Sequence, residues 1–210
     1  MEKWRAEIRN KWMSHAPRQY WGDDLDVRYY LAKELKKLHG KKILDIGCNI
    51  GIILSEAAGD NERHGLDLDR ELIGKAKNVC PECDFITGDA TRLPFGNGEF
   101  DAVVLAHLWQ EGNEKMLEEA MRVLRKGGTL YLTTPNGKHP YYSNKRMYRE
   151  GLAEALGKVG FRYEIRGFNP IPLPVKLIGW IPGIFGLLEY LSGKDALVDR
   201  CRGFYVEAVK

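Results

Sequence analysis

Asp45 and Asp67 fall at the ends of two predicted strands, where an acidic side chain can hold a ligand. Residues 43–51 read Ile-Leu-Asp-Ile-Gly-Cys-Asn-Ile-Gly, a buried strand followed by a glycine-rich turn and an apolar helix pattern. Such a turn lets the backbone approach a ligand closely. The next strand ends in Gly-Leu-Asp-Leu-Asp at 65–69, where an acidic residue can accept hydrogen bonds from two ribose hydroxyls. These segments predict a site for an adenosine-like cofactor.

The spacing of the glycines argues against a nicotinamide dinucleotide. The dinucleotide fingerprint is G-x-G-x-x-G. This turn instead has Asp45-x-Gly47-x-Asn49-x-Gly51, and Ile52 stands where the third fingerprint glycine would have to fall. A nicotinamide oxidoreductase is therefore a disfavoured alternative, which binding assays with both cofactors would separate.

From Lys42 onward, strand and helix patterns alternate, which implies a parallel sheet with helices on both faces. The predicted strands are 42–46, 62–67, 84–87, 100–105, 129–133, 161–167 and 203–209, and the predicted helices among them are 52–58, 70–78, 113–125 and 144–158. Asp69 is expected to cap helix 70–78. Gly127 and Gly128 predict a glycine cap after helix 113–125.

The 210 residues are expected to form a single domain with two additions to the sheet. Helices predicted at 2–15 and 25–38 form an N-terminal helical cap within residues 1–40. Residues 169–202 form an insertion between the last two strands, and its segment 171–191 is strongly apolar but broken by glycine and proline. Three interpretations of this segment stay open: a lid over a substrate pocket, a peripheral membrane or lipid contact, and a homodimer interface.

Charge and composition exclude several classes. A net charge of +3 and a pI near 8.6 are too mild to indicate a nucleic-acid partner. We expect a cytoplasmic protein, because the charged N-terminus does not look like a signal peptide and no apolar run reaches the ~20 residues of a membrane span. Cys80 and Cys83 have the spacing of half a zinc site, but nothing completes it. The prediction is therefore two ordinary thiols and no metal.

Four segments resemble the class I S-adenosylmethionine-dependent methyltransferases. They are 43–51, 65–69, Gly-Asp-Ala-Thr-Arg-Leu-Pro-Phe at 88–95 and Arg-Val-Leu-Arg-Lys-Gly-Gly-Thr-Leu at 122–130. Within that family, Leu-Pro-Phe at 93–95 and Thr-Thr-Pro-Asn at 133–136 resemble the quinone and small-molecule subgroup. The resemblance implies a Rossmann-like, seven-stranded, mostly parallel sheet with an antiparallel last strand. Asn49 replaces the middle glycine of the family turn. We expect the turn to survive, because Asn tolerates a left-handed backbone, while the role of its side chain stays open.

The resemblance also implies S-adenosyl-L-methionine as cofactor and a set of residues around it. The set is Asp45, Gly47, Cys48, Asn49, Gly51, Asp67, Leu68, Asp89, Ala90 and Ala106. Asp45 would lie near the methionine amino group, Asp67 would accept both ribose hydroxyls, and Asp89 would accept from the exocyclic amine of adenine. Leu68 would pack against the adenine, and Ala106 against the methionine moiety.

The implied reaction is in-line displacement at an electrophilic sulfonium methyl, so the protein must mainly position the acceptor and exclude water. His107 is the candidate base where the acceptor arrives protonated, since an unperturbed imidazole titrates near 6.5. His139, Tyr141 and Tyr142 are candidates for the substrate wall.

The sequence after the fourth strand bears on the acceptor. Residues 106–109 read Ala-His-Leu-Trp, not the Asn-Pro-Pro-aromatic motif of amide and exocyclic-amine methylation. Together with the apolar insertion, this favours a small, hydrophobic acceptor methylated on a hydroxyl or a carbon. The alternative is a non-catalytic, cofactor-binding partner subunit that docks through segment 171–191.

Overall fold

A computed structural model of the chain describes residues 25–107, 111–138, 148–168, 201 and 203–210. Several predicted features lie outside these ranges. They are the helix at 2–15, segment 171–191 and the beginning of the helix predicted at 144–158. In the described part of the chain, no helix is long and apolar enough to span a membrane.

Seven strands form one sheet in the order β3-β2-β1-β4-β5-β7-β6. The strands are β1 (Lys42–Ile46), β2 (Glu62–Asp67), β3 (Asp84–Thr87), β4 (Phe100–Ala106), β5 (Leu124–Pro135), β6 (Arg162–Phe168) and β7 (Gly203–Val209). Strand β7 runs antiparallel to β5 and β6, and the other neighbouring pairs are parallel. The predicted fold class is confirmed. The carboxyl ends of β1 to β5 therefore lie along one edge, which is where open α/β sheets bind ligands.

The described helices are α1 (Leu25–Leu35), α2 (Ile52–Ser55), α3 (Arg70–Val79), α4 (Glu114–Val123) and α5 (Arg149–Val159). Asp69 caps α3 as expected, because its carboxylate accepts hydrogen bonds from the amides of Glu71 at 2.8 Å and Leu72 at 3.3 Å. One apolar layer joins the sheet to α4 and α5. The other joins it to α1, α2 and α3. Residues in both layers are almost fully buried, so truncating one of the core leucines to alanine would cost about 2–5 kcal/mol.

Three predicted helix ends are wrong. Helix α1 stops at Leu35 rather than 38, because the amides of Lys37 and Leu38 make tighter i to i+3 bonds. Helix α2 stops at Ser55 rather than 58, because the Ser55 hydroxyl bonds back to the Ile52 carbonyl at 2.8 Å and the next amides make tighter i to i+3 bonds. Helix α4 stops at Val123, because Leu124 is already extended and pairs with Phe100 in the sheet.

Gly127 is therefore not a helix cap. It adopts a φ of 75° inside β5, where the register against β4 shifts, and its amide donates to the Lys210 carbonyl at 3.1 Å. Gly127 thus allows a bulge rather than ending a helix.

Cys80 and Cys83 are joined by a disulfide between the end of α3 and the start of β3, with Cα atoms 5.4 Å apart. The interpretation as two ordinary thiols is thus wrong. Within the described ranges, no group of three or more side chains could hold a metal ion.

Candidate cofactor site

The turn between β1 and α2 is held by three left-handed residues. Gly47 has a φ of 75°, Asn49 of 52° and Gly51 of 74°. Asn49 adopts the backbone that we expected of it, and its side-chain oxygen accepts from the Ile50 amide at 2.8 Å. The amides of Gly47 and Cys48 both donate to the Leu66 carbonyl, at 2.7 and 3.0 Å. The turn is therefore anchored on β2 through its own amides.

Phe85 of β3 lies beneath this turn and leaves no room for larger residues. A Cβ atom on Gly51 would lie 2.5 Å from Phe85 Cζ. A Cβ atom on Gly65 would lie 2.5 Å from the same ring and 2.9 Å from Cys48 Sγ. Glycine at 51 is thus required twice, by its backbone conformation and by this close approach.

Asp67 ends β2 with its carboxylate fixed by two backbone amides. Its Oδ2 accepts from the Asn49 amide at 2.9 Å, and its Oδ1 accepts from the Asp69 amide at 3.0 Å. Each carboxylate oxygen can accept a second hydrogen bond. The held orientation and the spare capacity on both oxygens suit a vicinal diol. The next residue, Leu68, has 76% of its surface exposed, which provides an apolar platform beside that carboxylate.

Asp89 follows β3 on an exposed turn. Its Oδ1 accepts from the amide and the hydroxyl of Thr91, both at 2.8 Å. These bonds, the backbone one most strongly, lower the pKa of Asp89 below its usual value, so the side chain is an anion. Its Oδ2 accepts no hydrogen bond from the described residues, which leaves this oxygen for a donor on a ligand. Ala90 packs against the core beside it.

Asp45 is completely buried on β1, and its charge acts on Cys48 at the start of the turn. Burial, and then the charges of Asp45 and Asp67, raise the pKa of the Cys48 thiol far above its usual value. Cys48 is therefore a neutral thiol at physiological pH and is a poor nucleophile. This agrees with a packing and backbone role in the turn.

Beyond β1, the rim continues at the ends of β4 and β5. Ala106 is partly buried, and His107 turns into the left-handed region with a φ of 57°. The His107 amide donates to the Thr133 carbonyl at 2.8 Å, which fixes the exit of the chain from β4. The other substrate candidates, His139, Tyr141 and Tyr142, lie outside the described residues.

Sequence reasoning missed a pair of hydroxyls at this rim. Thr133 on β5 and Tyr205 on β7 are cross-strand neighbours, and both are buried. Neither hydroxyl has a hydrogen-bond partner among the described residues, which is unusual for buried polar atoms. Burial also raises the pKa of Tyr205, so its phenol stays a donor. The pair depends on the β5–β7 register, which neither strand reveals alone.

Asn136, also missed, ties the loop after β5 to the beginning of β7. Its Nδ2 donates to the Cys201 carbonyl at 2.8 Å, and its Oδ1 accepts from the Lys138 amide at 3.0 Å. The sequence signals were the resemblance of Thr-Thr-Pro-Asn at 133–136 to the quinone and small-molecule subgroup and an amide residue directly after Pro135, where a turn is expected.

An open α/β sheet with acidic side chains on three adjacent strands, at one edge, is typical of proteins that bind a nucleoside-containing cofactor. Comparison with known proteins agrees with this class. Residues 43–128 match a family model described as a methyltransferase domain. A demethylmenaquinone methyltransferase of Renibacterium salmoninarum is 35% identical over 130 residues, which are 59% of this chain and 53% of the relative. One from Paenarthrobacter aurescens is 34% identical over 159 residues, 73% of this chain and 61% of the relative.

Solved structures share the fold at lower identity. A methyltransferase from Archaeoglobus fulgidus, described as SAM-dependent, superposes with a TM-score of 0.65 at 17% identity, over 91% of this chain and 96% of that one. The [4+2]-cyclase SpnF superposes with a TM-score of 0.57 at 21% identity, over 88% of this chain and 80% of that one. By these matches, the chain carries a methyltransferase domain at residues 43–128 and has the fold of solved S-adenosylmethionine-dependent methyltransferases. It spans about half to three fifths of the length of the two relatives above.

Proposed function

We propose that this protein transfers a methyl group from S-adenosylmethionine to a small, hydrophobic acceptor at a hydroxyl or a carbon. The observation that carries the proposal is the Asp67 carboxylate, held at the end of β2 by the amides of Asn49 and Asp69 with one acceptor position spare on each oxygen. This arrangement fits a ribose diol.

The residues at the carboxyl edge would divide the work of holding the cofactor. Asp67 would accept the two ribose hydroxyls, and Asp89 Oδ2 would accept the adenine amine. Leu68 would cover one face of the base. When bound, the cofactor supplies an electrophilic methyl group, so the protein contributes position and the exclusion of water.

The acceptor is proposed from the relatives and from the rim beyond β4. Both sequence relatives above are named for demethylmenaquinone, an apolar quinone. We therefore favour a quinol-like acceptor, with His107 taking its proton and with His139, Tyr141 and Tyr142 forming part of its wall. Membrane or lipid contact and self-association through segment 171–191 stay predictions, as does a cytoplasmic location.

Methyl transfer has to be measured, because one fold hosts different reactions. The structural resemblance to a [4+2]-cyclase makes this point for the present fold. The alternative of a non-catalytic partner subunit predicts cofactor binding without transfer to any acceptor.

The first experiment is calorimetric titration of S-adenosylmethionine and S-adenosylhomocysteine, with NADH as the control ligand. Asp67→Asn should weaken binding by about 100-fold, the loss of two charge-assisted hydrogen bonds. Asp69→Asn is the matched control, because it changes the same side chain two residues away and asparagine still caps α3. Absence of binding to the wild type, or equal losses in both variants, would refute the ribose assignment.

The second experiment follows a labelled methyl group into a reduced demethylmenaquinone analogue by mass spectrometry. His107→Gln should lower kcat by about 100-fold and leave the affinity for S-adenosylhomocysteine unchanged, if His107 is the base. An unchanged kcat would remove His107 from the chemistry. Cofactor binding without transfer to quinols, phenols or carbon acceptors would favour the partner-subunit alternative.

A further inference from the structure

A partly buried ion pair on α4, between Glu119 and Arg122, holds the loop that carries Asp89. Arg122 donates from Nη1 to the Phe95 carbonyl at 2.7 Å and to Asn97 Oδ1 at 3.0 Å, and from Nη2 to the Leu93 carbonyl at 3.0 Å. One guanidinium therefore fixes three points of the segment 93–97. A planar fork of donors is suited to this task, whereas an ammonium is a single point charge.

Glu119 completes the arrangement from one turn earlier on the same helix. Its Oε2 accepts from the Leu93 amide at 2.7 Å. The same carboxylate accepts from Arg122 Nε and Nη2, both at 2.8 Å. Glu119 is only 8% exposed, so these bonds face little competition from water. Leu93 is thus held through both its amide and its carbonyl.

The segment between β3 and Leu93 is also anchored by a backbone hydrogen bond at its beginning. There, the Gly88 amide donates to the Asp67 carbonyl at 3.0 Å. Between the two anchors, Asp89 bonds to Thr91 and Arg92 within its own turn. The location of Asp89 Oδ2 therefore depends on Gly88 at one end and on the Glu119–Arg122 pair at the other.

We propose that Glu119 and Arg122 are positioning residues that place Asp89 and so set the preference of the site for adenine over other purines. This inference rests on the proposed function, in which Asp89 accepts from the exocyclic amine. Hypoxanthine has a carbonyl oxygen at that position, so it would bring an acceptor against a carboxylate. Discrimination between the two bases therefore reports the placement of Asp89.

The test compares the dissociation constants of S-adenosylhomocysteine and S-inosylhomocysteine, which differ at position 6 of the purine and in the hydrogen that the oxo form carries on the adjacent N1. The wild type should prefer the adenine ligand by about tenfold or more, the size of one charge-assisted hydrogen bond. Asp89→Asn should reduce this preference to about twofold, and Arg122→Met should bring it close to the same value. The double variant should show no further loss, because both changes remove the same interaction.

Arg166→Met is the matched control. Arg166 makes a two-bond pair with Glu164 on β6, at 2.7 and 2.8 Å, away from the Asp89 loop, so its loss should leave the preference unchanged. Where Arg122→Met does not fold, Arg122→Lys and Asn97→Ala carry the test with smaller expected losses.

The possible results distinguish a failure of this inference from a failure of the proposed function on which it rests. Absence of S-adenosylhomocysteine binding to the wild type would overturn the proposed function and the inference with it. Wild-type binding without base preference, or a full preference kept in folded Arg122 variants, would overturn the inference alone. Equal weakening of both ligands would also overturn it, because a general structural role affects them alike.

Discussion

The two edges of the sheet are formed by the same strands but use their charged side chains differently. At the amino edge, Lys42 Nζ lies 2.8 Å from Glu62 and 3.0 Å from Glu99, and 5.4 Å from the centre of the Phe100 ring. Asp101 accepts from the Lys42 amide at 2.8 Å and pairs with a further cation. These carboxylates each contact a cation of the protein itself.

At the carboxyl edge, the described partners of Asp67 and Asp89 are backbone amides and one threonine hydroxyl. Their partners hold them in place but leave acceptor positions open. We therefore expect the carboxylates of the amino edge to stabilise the fold, and we propose that those of the carboxyl edge bind a ligand. Substitutions at the two edges should separate stability from binding.

The largest effect on stability is expected from Gly51→Ala at the carboxyl edge. The substitution forces alanine to a φ of 74° and drives its Cβ to 2.5 Å from Phe85 Cζ. Backbone strain and overpacking together should lower the free energy of unfolding by about 2–4 kcal/mol. Urea unfolding monitored by circular dichroism measures the change.

Gly127→Ala is the control at the amino edge. Gly127 has a nearly equal φ of 75°, but a Cβ there would meet nothing within 4 Å. Gly127→Ala should therefore lower the free energy of unfolding through backbone strain alone, by about 1 kcal/mol. Equal losses in the two variants would show that the packing of Phe85 under the turn does not matter.

Lys42→Met should remove the Lys42 ion pairs at the amino edge and leave the proposed ligand-binding residues at the carboxyl edge unchanged. The ion pairs of Lys42 with Glu62 and Glu99 are partly exposed to solvent. We therefore expect the substitution to lower the free energy of unfolding by about 1 kcal/mol. The dissociation constant of S-adenosylhomocysteine should stay within about twofold of the wild type, since the change lies at the far edge. A large loss of affinity would mean that the two edges are coupled.

The pH dependence of stability sharpens the same comparison. The hydrogen bond from the Lys42 ammonium is the main cause that lowers the pKa of Glu62. For Glu99, the hydrogen bond from the Gly96 amide is the main cause of the lowered pKa, and Lys42 is the second. Because these pKa values are lower in the folded state, the stabilisation is present above the ordinary glutamate value of 4.5 and is lost as the pH falls below it. Melting temperatures from pH 6 to 3 should therefore fall less steeply in Lys42→Met. An equally steep fall would place the acid sensitivity elsewhere.

Local patterns were sufficient for much of the fold and of the site. The bounds of β1, β2, β3 and β7 match the predictions, and a glycine or a helix-capping aspartate within two residues marks where β1, β2 and β3 end. The acidic residues at strand ends follow from the same patterns. The α4–β5 junction does not, since pairing of Leu124 with Phe100 overrides the local glycine signal.

The features that sequence reasoning missed are contacts between distant segments. Thr133 and Tyr205 are 72 positions apart in sequence and meet through the β5–β7 register. Arg122 reaches Leu93 and Phe95 because α4 packs beside the loop after β3. Glu119 and Arg122 look like an ordinary i, i+3 surface pair until that packing is known.

The smallest effect is expected at Asn49, where the family turn has glycine. Asn49→Gly would relieve the left-handed backbone, with a φ of 52°, but would lose the side-chain bond to the Ile50 amide. These opposing changes should leave the free energy of unfolding within about 1 kcal/mol of the wild type. The Asn49 amide still donates to Asp67, so the affinity for S-adenosylhomocysteine should change by less than about threefold. Asn49→Ala, which keeps the strain without the side-chain bond, should be the less stable of the two. A tenfold loss of affinity in Asn49→Gly would instead indicate that the amide side chain contacts the ligand.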